Sequence, residues 1–272
     1  MNRVSQFSFL HGRPKRLLSK VRRRLKTIIG APQQMLDRWR GRQLIHFLHI
    51  GKTGGTAVKH ALKTCLEIDN YLILLHNHKV RLRDVPKGDK VIFFVRDPIK
   101  RFVSGFYGRQ RQDLPRHFSP WSRDEKIAFK HFSTPNELAA ALSSEDIDRR
   151  NLAVKAMKSI KHVRSSYWDW FGSEAYLLSR ISDVFFIGFQ ESLDGDFQRL
   201  KDKLGLPETV KLPKNDLEAH KNPQKLDRRL EEVSIRNLNK WYAEDYAFIE
   251  LCRKLANAIN QVEPGIDISA AG

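Results

Sequence analysis

The sequence predicts an α/β domain of three layers, with a central, mostly parallel sheet flanked by helices. Two observations point to it. Strand-sized apolar runs recur along the chain at Leu44–Ile50, Tyr71–His76, Val91–Val95 and Val184–Ile187. Segments with helical spacing and helical caps separate them, and strands spaced by helices imply a parallel sheet covered on both faces. Ligands in such sheets bind beyond the carboxyl ends of the strands.

Each element has its own signal. Leu44–Ile50 ends in Gly51, after which Thr56–Leu66 carries a helical pattern. Val91–Val95 precedes Asp97-Pro98, an N-cap residue followed by the residue suited to the first helical position. Thr134-Pro135-Asn136-Glu137 repeats that logic and adds a Glu in capping-box position. Ser192–Leu204 reads as a helix that stops at Gly205, and the stretch from Leu226 to Val262 reads as helical.

The chain divides into a basic arm, residues 1–43, and a domain, residues 44–272. Its 272 residues include 41% hydrophobic residues, sixteen Phe and five Trp, enough for one sizeable core and too many for a disordered polyelectrolyte. No apolar run approaches the roughly 20 residues of a membrane span. Cys65 and Cys252 form no metal-ligand or CxxC pattern, which fits two thiols in a reducing compartment and a cytoplasmic protein.

Of the net charge of +18, residues 1–43 hold twelve Lys or Arg against one acid, Asp37, so 12 − 1 gives +11 and the body carries 18 − 11, or +7. Leu17, Leu18, Val21, Leu25, Ile28 and Ile29 give the arm a basic amphipathic helical pattern. Three readings fit it: a helix packed on the domain edge, a segment that contacts a membrane surface or polyanion, and an organellar presequence.

Two motifs carry the chemistry. Gly51-Lys52-Thr53-Gly54-Gly55-Thr56 joins a strand to a helix start, so backbone amides and a helix N-terminus converge on one point, an anion site. Lys52 adds a positive charge, and Thr53 and Thr56 add hydroxyls. A Walker loop would need Gly five places before Gly51, where His46 stands. The second motif, Arg96-Asp97-Pro98-Ile99-Lys100-Arg101-Phe102-Val103-Ser104, puts Arg96 at the sheet edge and Ser104 two turns along a helix. Together they suit one oxyanion. Taken alone, the motif is an N-cap with an i,i+4 ion pair between Asp97 and Arg101.

With both motifs in place, the sequence resembles the sulfotransferases that use 3′-phosphoadenosine-5′-phosphosulfate (PAPS), and within them the branch of heparan sulfate 2-O-sulfotransferase and its bacterial relatives. Their 5′-phosphosulfate loop is similar to Lys52–Thr56, and their 3′-phosphate element is similar to Arg96–Ser104. The resemblance runs from about Leu44 to Lys254 and implies a P-loop-like fold. It extends to Phe186–Leu193, where Gln190 replaces an expected basic residue, and to His220-Lys221-Asn222-Pro223. In that branch a His-Gly-His follows the second strand, and its second histidine is the catalytic base. Here the stretch is His76-Asn77-His78.

The resemblance implies in-line transfer of a sulfuryl group to an acceptor hydroxyl. His78 is the first choice of base and His76 the second, with Lys52 beside the leaving oxygen. Read without the family, the two histidines are equally metal ligands, caps or exposed residues. No carboxylate or Cys cluster lies nearby to complete a metal site, so no metal is expected. His49 supports the loop.

The acceptor carries a free hydroxyl, and a basic middle region (Arg149, Arg150, Lys155, Lys158, Lys161, His162, Arg164) beside Tyr167–Phe171 suits an acidic glycan. Two other classes compete: a P-loop kinase-like phosphotransferase, and a protein that binds nucleic acid or an anionic surface through the arm. No specific nucleic acid is expected.

Overall fold

The computed structural model describes residues 41–68, 70–115, 118–214 and 226–260. The strands are β1 (Gln43–Leu48), β2 (Glu67–Ile68), β3 (Tyr71–Leu75), β4 (Lys90–Val95) and β5 (Val184–Phe189). The helices are α1 (Gly55–Leu62), α2 (Pro98–Gln110), α3 (Arg123–His131), α4 (Pro135–Ala140), α5 (Ile147–Ser159), α6 (Trp168–Phe171), α7 (Glu174–Leu178), α8 (Leu193–Leu204), α9 (Glu232–Trp241) and α10 (Ala243–Ile259).

The sheet order is β2-β3-β1-β4-β5. β3, β1, β4 and β5 run parallel, and only the two-residue edge strand β2 is antiparallel, as the sequence could not show. Both faces are covered. Val58, Ala61 and Leu62 of α1 and Phe197, Leu200 and Leu204 of α8 pack on Ile45, Phe47, Ile92 and Phe94. On the other face Phe248, Ile249 and Cys252 of α10, with Trp170 and Phe171 of α6, cover Leu48, Val91, Phe93 and Val95. A helical core of Phe102, Phe106, Leu138, Met157 and Leu238 joins α2, α4, α5 and α9.

The connections decide where a ligand can sit. After β1 the chain runs through α1 to β3 on one side. After β4 it leaves through α2 and returns at β5 on the other. A crevice therefore opens between the carboxyl ends of β1 and β4, the topological switch point at which open α/β sheets bind ligands. The Gly51–Thr56 and Arg96–Ser104 motifs follow these two strands.

Several boundaries differ from the sequence reading. The first strand stops at Leu48, leaving His49 and Ile50 as a lead into the loop, and its helix runs Gly55–Leu62. The C-terminal stretch is two helices, broken at Tyr242, and residues 226–231 precede them without helix. Asp97 caps α2 as expected, its Oδ1 accepting from the Lys100 amide at 2.8 Å. Thr134 caps α4, but Glu137 reaches back to the Ser133 amide, at 2.8 Å. The arm's amphipathic pattern and the His220–Pro223 segment lie outside the described residues.

Candidate active site

The Gly51–Thr56 loop is fixed from within and from below. Thr53 is fully buried and its hydroxyl donates to the Ile50 carbonyl at 3.1 Å. Its role is therefore to shape the turn. Gly54, at φ 81°, is the N-cap of α1. Among the described residues, the amides of Thr53, Gly54, Gly55 and Thr56 donate to no backbone carbonyl. Those of Gly55 and Thr56 belong to the orphan donors of a helix start. Gln190 and Leu193 pack against Gly54 from the β5–α8 turn. The residue in place of an expected cation is thus a packing neighbour of the loop.

The second motif touches the first. Arg96 Nη1 donates to the Lys52 carbonyl at 3.3 Å. Arg96 is anchored through its backbone: its amide donates to the Tyr167 hydroxyl at 2.9 Å, and that hydroxyl donates to the Arg96 carbonyl at 2.6 Å. Arg96 Nε is buried and meets no hydrogen-bond partner among the described residues. A buried, unmatched guanidinium donor beside free loop amides is what a phosphate site requires. Ser104, half-buried, stands on α2 two turns beyond.

Arg101 does not make the i,i+4 pair with Asp97. It is buried, donating from Nε to the Gly51 carbonyl at 3.1 Å and from Nη1 to the Ser165 carbonyl at 2.7 Å, with Asp245 3.7 Å away. Its guanidinium lies 4.7 Å from the centre of the Tyr167 ring. One cation thus ties the loop, α2 and the segment before α6 together. Asp97 Oδ2 accepts instead from the Tyr246 hydroxyl at 3.2 Å.

The two histidines of the β3 turn have separate surroundings. His76 belongs to a chain through the sheet: Asp89 Oδ2 lies 3.0 Å from His46 Nε2, and His46 Nδ1 lies 2.8 Å from His76 Nε2. A carboxylate can only accept, so His46 carries its proton on Nε2, and His76 Nε2–H donates to His46 Nδ1 when both rings are neutral. Lys59 Nζ donates to the His76 carbonyl at 2.6 Å. Burial, helped by His46 and Lys59, lowers the His76 pKa to about 4.

His78 sits at the loop. Its Nδ1 lies 2.9 Å from the His49 carbonyl, which can only accept, so Nδ1 bears the proton and Nε2 presents a lone pair. The rings of His49 and His162 lie 4.0 Å and 5.5 Å from it, centre to centre. Desolvation by these neighbours lowers the His78 pKa, opposed by the His49 hydrogen bond and reinforced by Lys161, Lys52 and Lys59. At pH 7 the ring is therefore neutral and able to accept a proton.

His162 covers Gly51 closely: a Cβ on Gly51 would lie 2.5 Å from His162 Nδ1. Any larger residue at 51 would displace the ring. The basic middle region supplied the signal for His162 and Lys161, and the aromatic run Tyr167–Phe171 singled out Tyr167; Asp113 and Asp89 had none. No group of His, Cys, Asp and Glu among the described residues could hold a metal ion.

The chain matches a sulfotransferase family model over residues 39–249, a span that takes in both motifs, the histidine turn and the sheet. The chain belongs to the sulfotransferase family. It is therefore an enzyme of sulfuryl transfer, and the kinase-like alternative is set aside. No curated protein matches the chain. The sulfotransferase has no helix among its described residues long and apolar enough to cross a membrane.

Proposed function

We propose that this sulfotransferase binds PAPS with the 5′-phosphosulfate on the Gly51–Thr56 loop and the 3′-phosphate on Arg96 and Ser104. It then transfers the sulfuryl group to a hydroxyl of a carbohydrate-containing acceptor. The observation that carries this reading is the junction of the two motifs. Arg96 donates from Nη1 to the Lys52 carbonyl and carries a buried Nε unmatched among the described residues, beside amides that donate to no backbone carbonyl among them. PAPS supplies an activated sulfuryl group whose bond to a phosphate oxygen breaks as the acceptor oxygen bonds to sulfur.

The chain's residues divide the remaining work. His78 accepts the acceptor's hydroxyl proton at Nε2, the atom its His49 hydrogen bond leaves open. Lys52 offsets the charge that develops on the leaving oxygen. Arg101 holds the loop in register with α2. The exposed Arg149, Arg150, Lys155 and Lys158 on α5 favour an acidic acceptor.

The test is a transfer assay with labelled PAPS against glycans, lipids and small alcohols, run with and without a chelator. Label should pass to a glycan, acidic ones best, at a rate indifferent to the chelator. Transfer only to apolar alcohols or lipids would overturn the acceptor assignment, and chelator-sensitive transfer would overturn the metal-free site.

A further inference from the structure

Among the described residues, four non-glycine positions have left-handed backbone: Lys52 at φ 69°, Gln112 at 54°, Asp113 at 63° and His162 at 70°. Asp113 and His162 belong with Lys52 to the surroundings of one ammonium group, that of Lys52, and Gln112 immediately precedes Asp113. Left-handed backbone is unfavourable for residues with a Cβ and persists only where the neighbours fix it, which is commonest at functional sites. Two consecutive strained residues end the α2 region, and the second of them carries a buried carboxylate.

Gly108 explains how these groups meet. A Cβ at this position would collide with Lys52 Nζ, and Asp113 Oδ1 lies 3.9 Å from the same point. The missing side chain leaves a notch in α2 that the ammonium fills, with the carboxylate at its rim. Asp113 is held there by Arg109, whose Nη1 donates to its Oδ2 at 2.8 Å, and Lys161 Nζ lies 3.8 Å from the same oxygen. Arg109 is itself gripped by Glu125 through two hydrogen bonds, at 2.8 and 2.9 Å.

The charged and titratable groups around Lys52 come from three elements. Arg109, Arg111 and Asp113 approach from α2 and its end, Lys161 and His162 from the turn after α5, and His78 from the turn after β3. Only Asp113 among them is an anion. Without it, Lys52 would sit among cations and neutral rings, where a buried amine sheds its proton.

We propose that Asp113 is the counter-ion that keeps Lys52 charged in the Gly108 notch, and so a positioning residue of the site. Burial brings the Lys52 pKa from 10.5 to about 8; Asp113 opposes the fall, while Arg111, Lys161 and Arg109 add to it. An amine titrating near 8 is still mostly charged at neutral pH. Further loss of one pH unit would cut the ratio of charged to neutral form about tenfold. The consequence for sulfuryl transfer rests on the role proposed above for Lys52; the electrostatic pairing does not.

The full chain, labelled with 13Cε-lysine, is titrated by NMR from neutral to alkaline pH, with the Lys52 signal assigned by its loss in Lys52→Arg. The Lys52 midpoint should fall by about one pH unit or more in Asp113→Asn. It should rise in Lys161→Met, which removes a neighbouring cation that also competes for Asp113. In the transfer assay, the alkaline limb of Asp113→Asn should move with the NMR midpoint, whereas a merely structural role would lower the rate equally at every pH. An unchanged or raised midpoint in folded Asp113→Asn overturns the proposal. If that variant does not fold, an unmoved midpoint in Lys161→Met overturns it. Shifted midpoints without a matching shift in transfer would refute the catalytic role of Lys52 and leave the pairing intact.

Discussion

His76 and His78 are two residues apart on one turn, yet the fold gives them opposite surroundings. His76 faces into the sheet, where His46 and Asp89 engage its ring in a continuous chain. His78 faces the loop, held by one carbonyl and flanked by two further histidines, with solvent still in reach. His76 is tied through Nε2 into a buried chain, whereas His78 is oriented through Nδ1 with Nε2 left open, the arrangement that the base role proposed for it requires. Sequence spacing alone could not separate them. The difference comes from β1, which places His46 beneath one ring, and from the lead into the loop that follows it, which places the His49 carbonyl beside the other.

The largest expected effect breaks the comparison at His78. His78→Ala should lower turnover by about 10²–10⁴-fold, the span usual for loss of a general base. Its affinity for adenosine 3′,5′-bisphosphate should stay as in the parent, measured by calorimetry beside single-turnover kinetics. A variant that turns over normally would move the base to His76 or elsewhere.

A smaller effect is expected on the His76 side, and in stability more than in rate. Asp89→Ala removes the acceptor of a buried His46 N–H, and such a loss costs about 1–3 kcal/mol. Urea denaturation should show the midpoint falling with the slope unchanged. An unaltered midpoint would mean that the chain contributes nothing to the fold.

The smallest effect is a pH dependence. Folded His76 titrates at about 4, below the 6.5 of the unfolded chain. The unfolded state therefore binds more protons between those values, and stability falls as pH drops through that window. His78 and His162 are lowered in the same direction and deepen the loss. Above pH 6.5 these groups leave stability unchanged. His76→Phe, which removes the titrating group itself, should flatten part of the acid slope in denaturation series at fixed salt.

The strand-to-helix placement of the two motifs was legible because each is contiguous in sequence and each pairs a strand end with a helix start. The parallel sheet was legible for the same reason, since its strands are short apolar runs separated by capped helices. His46 left a partial signal, a polar residue inside Leu44–Leu48 that must find a partner when buried. Nothing pointed to Asp89 as that partner, because the pairing joins β1 to the approach of β4 across 43 residues. Arg101 was visible as a cation four residues after Asp97, but its partners, Gly51 and Ser165, are 50 and 64 residues away. Asp113 was hidden by its unremarkable place after a helix, and its meaning depends on a notch in α2. Local geometry could be read from the chain, and contacts closed by the fold could not.

The central claim is that the Gly51–Thr56 loop and Arg96 form one anion site. Calorimetry of adenosine 3′,5′-bisphosphate with the parent and the Lys52→Ala/Arg96→Ala double variant tests it directly. Charged hydrogen bonds are worth about 1.5–3 kcal/mol each, so affinity should fall by at least roughly tenfold, with the fold intact by circular dichroism. A folded double variant that binds as tightly as the parent would contradict the account.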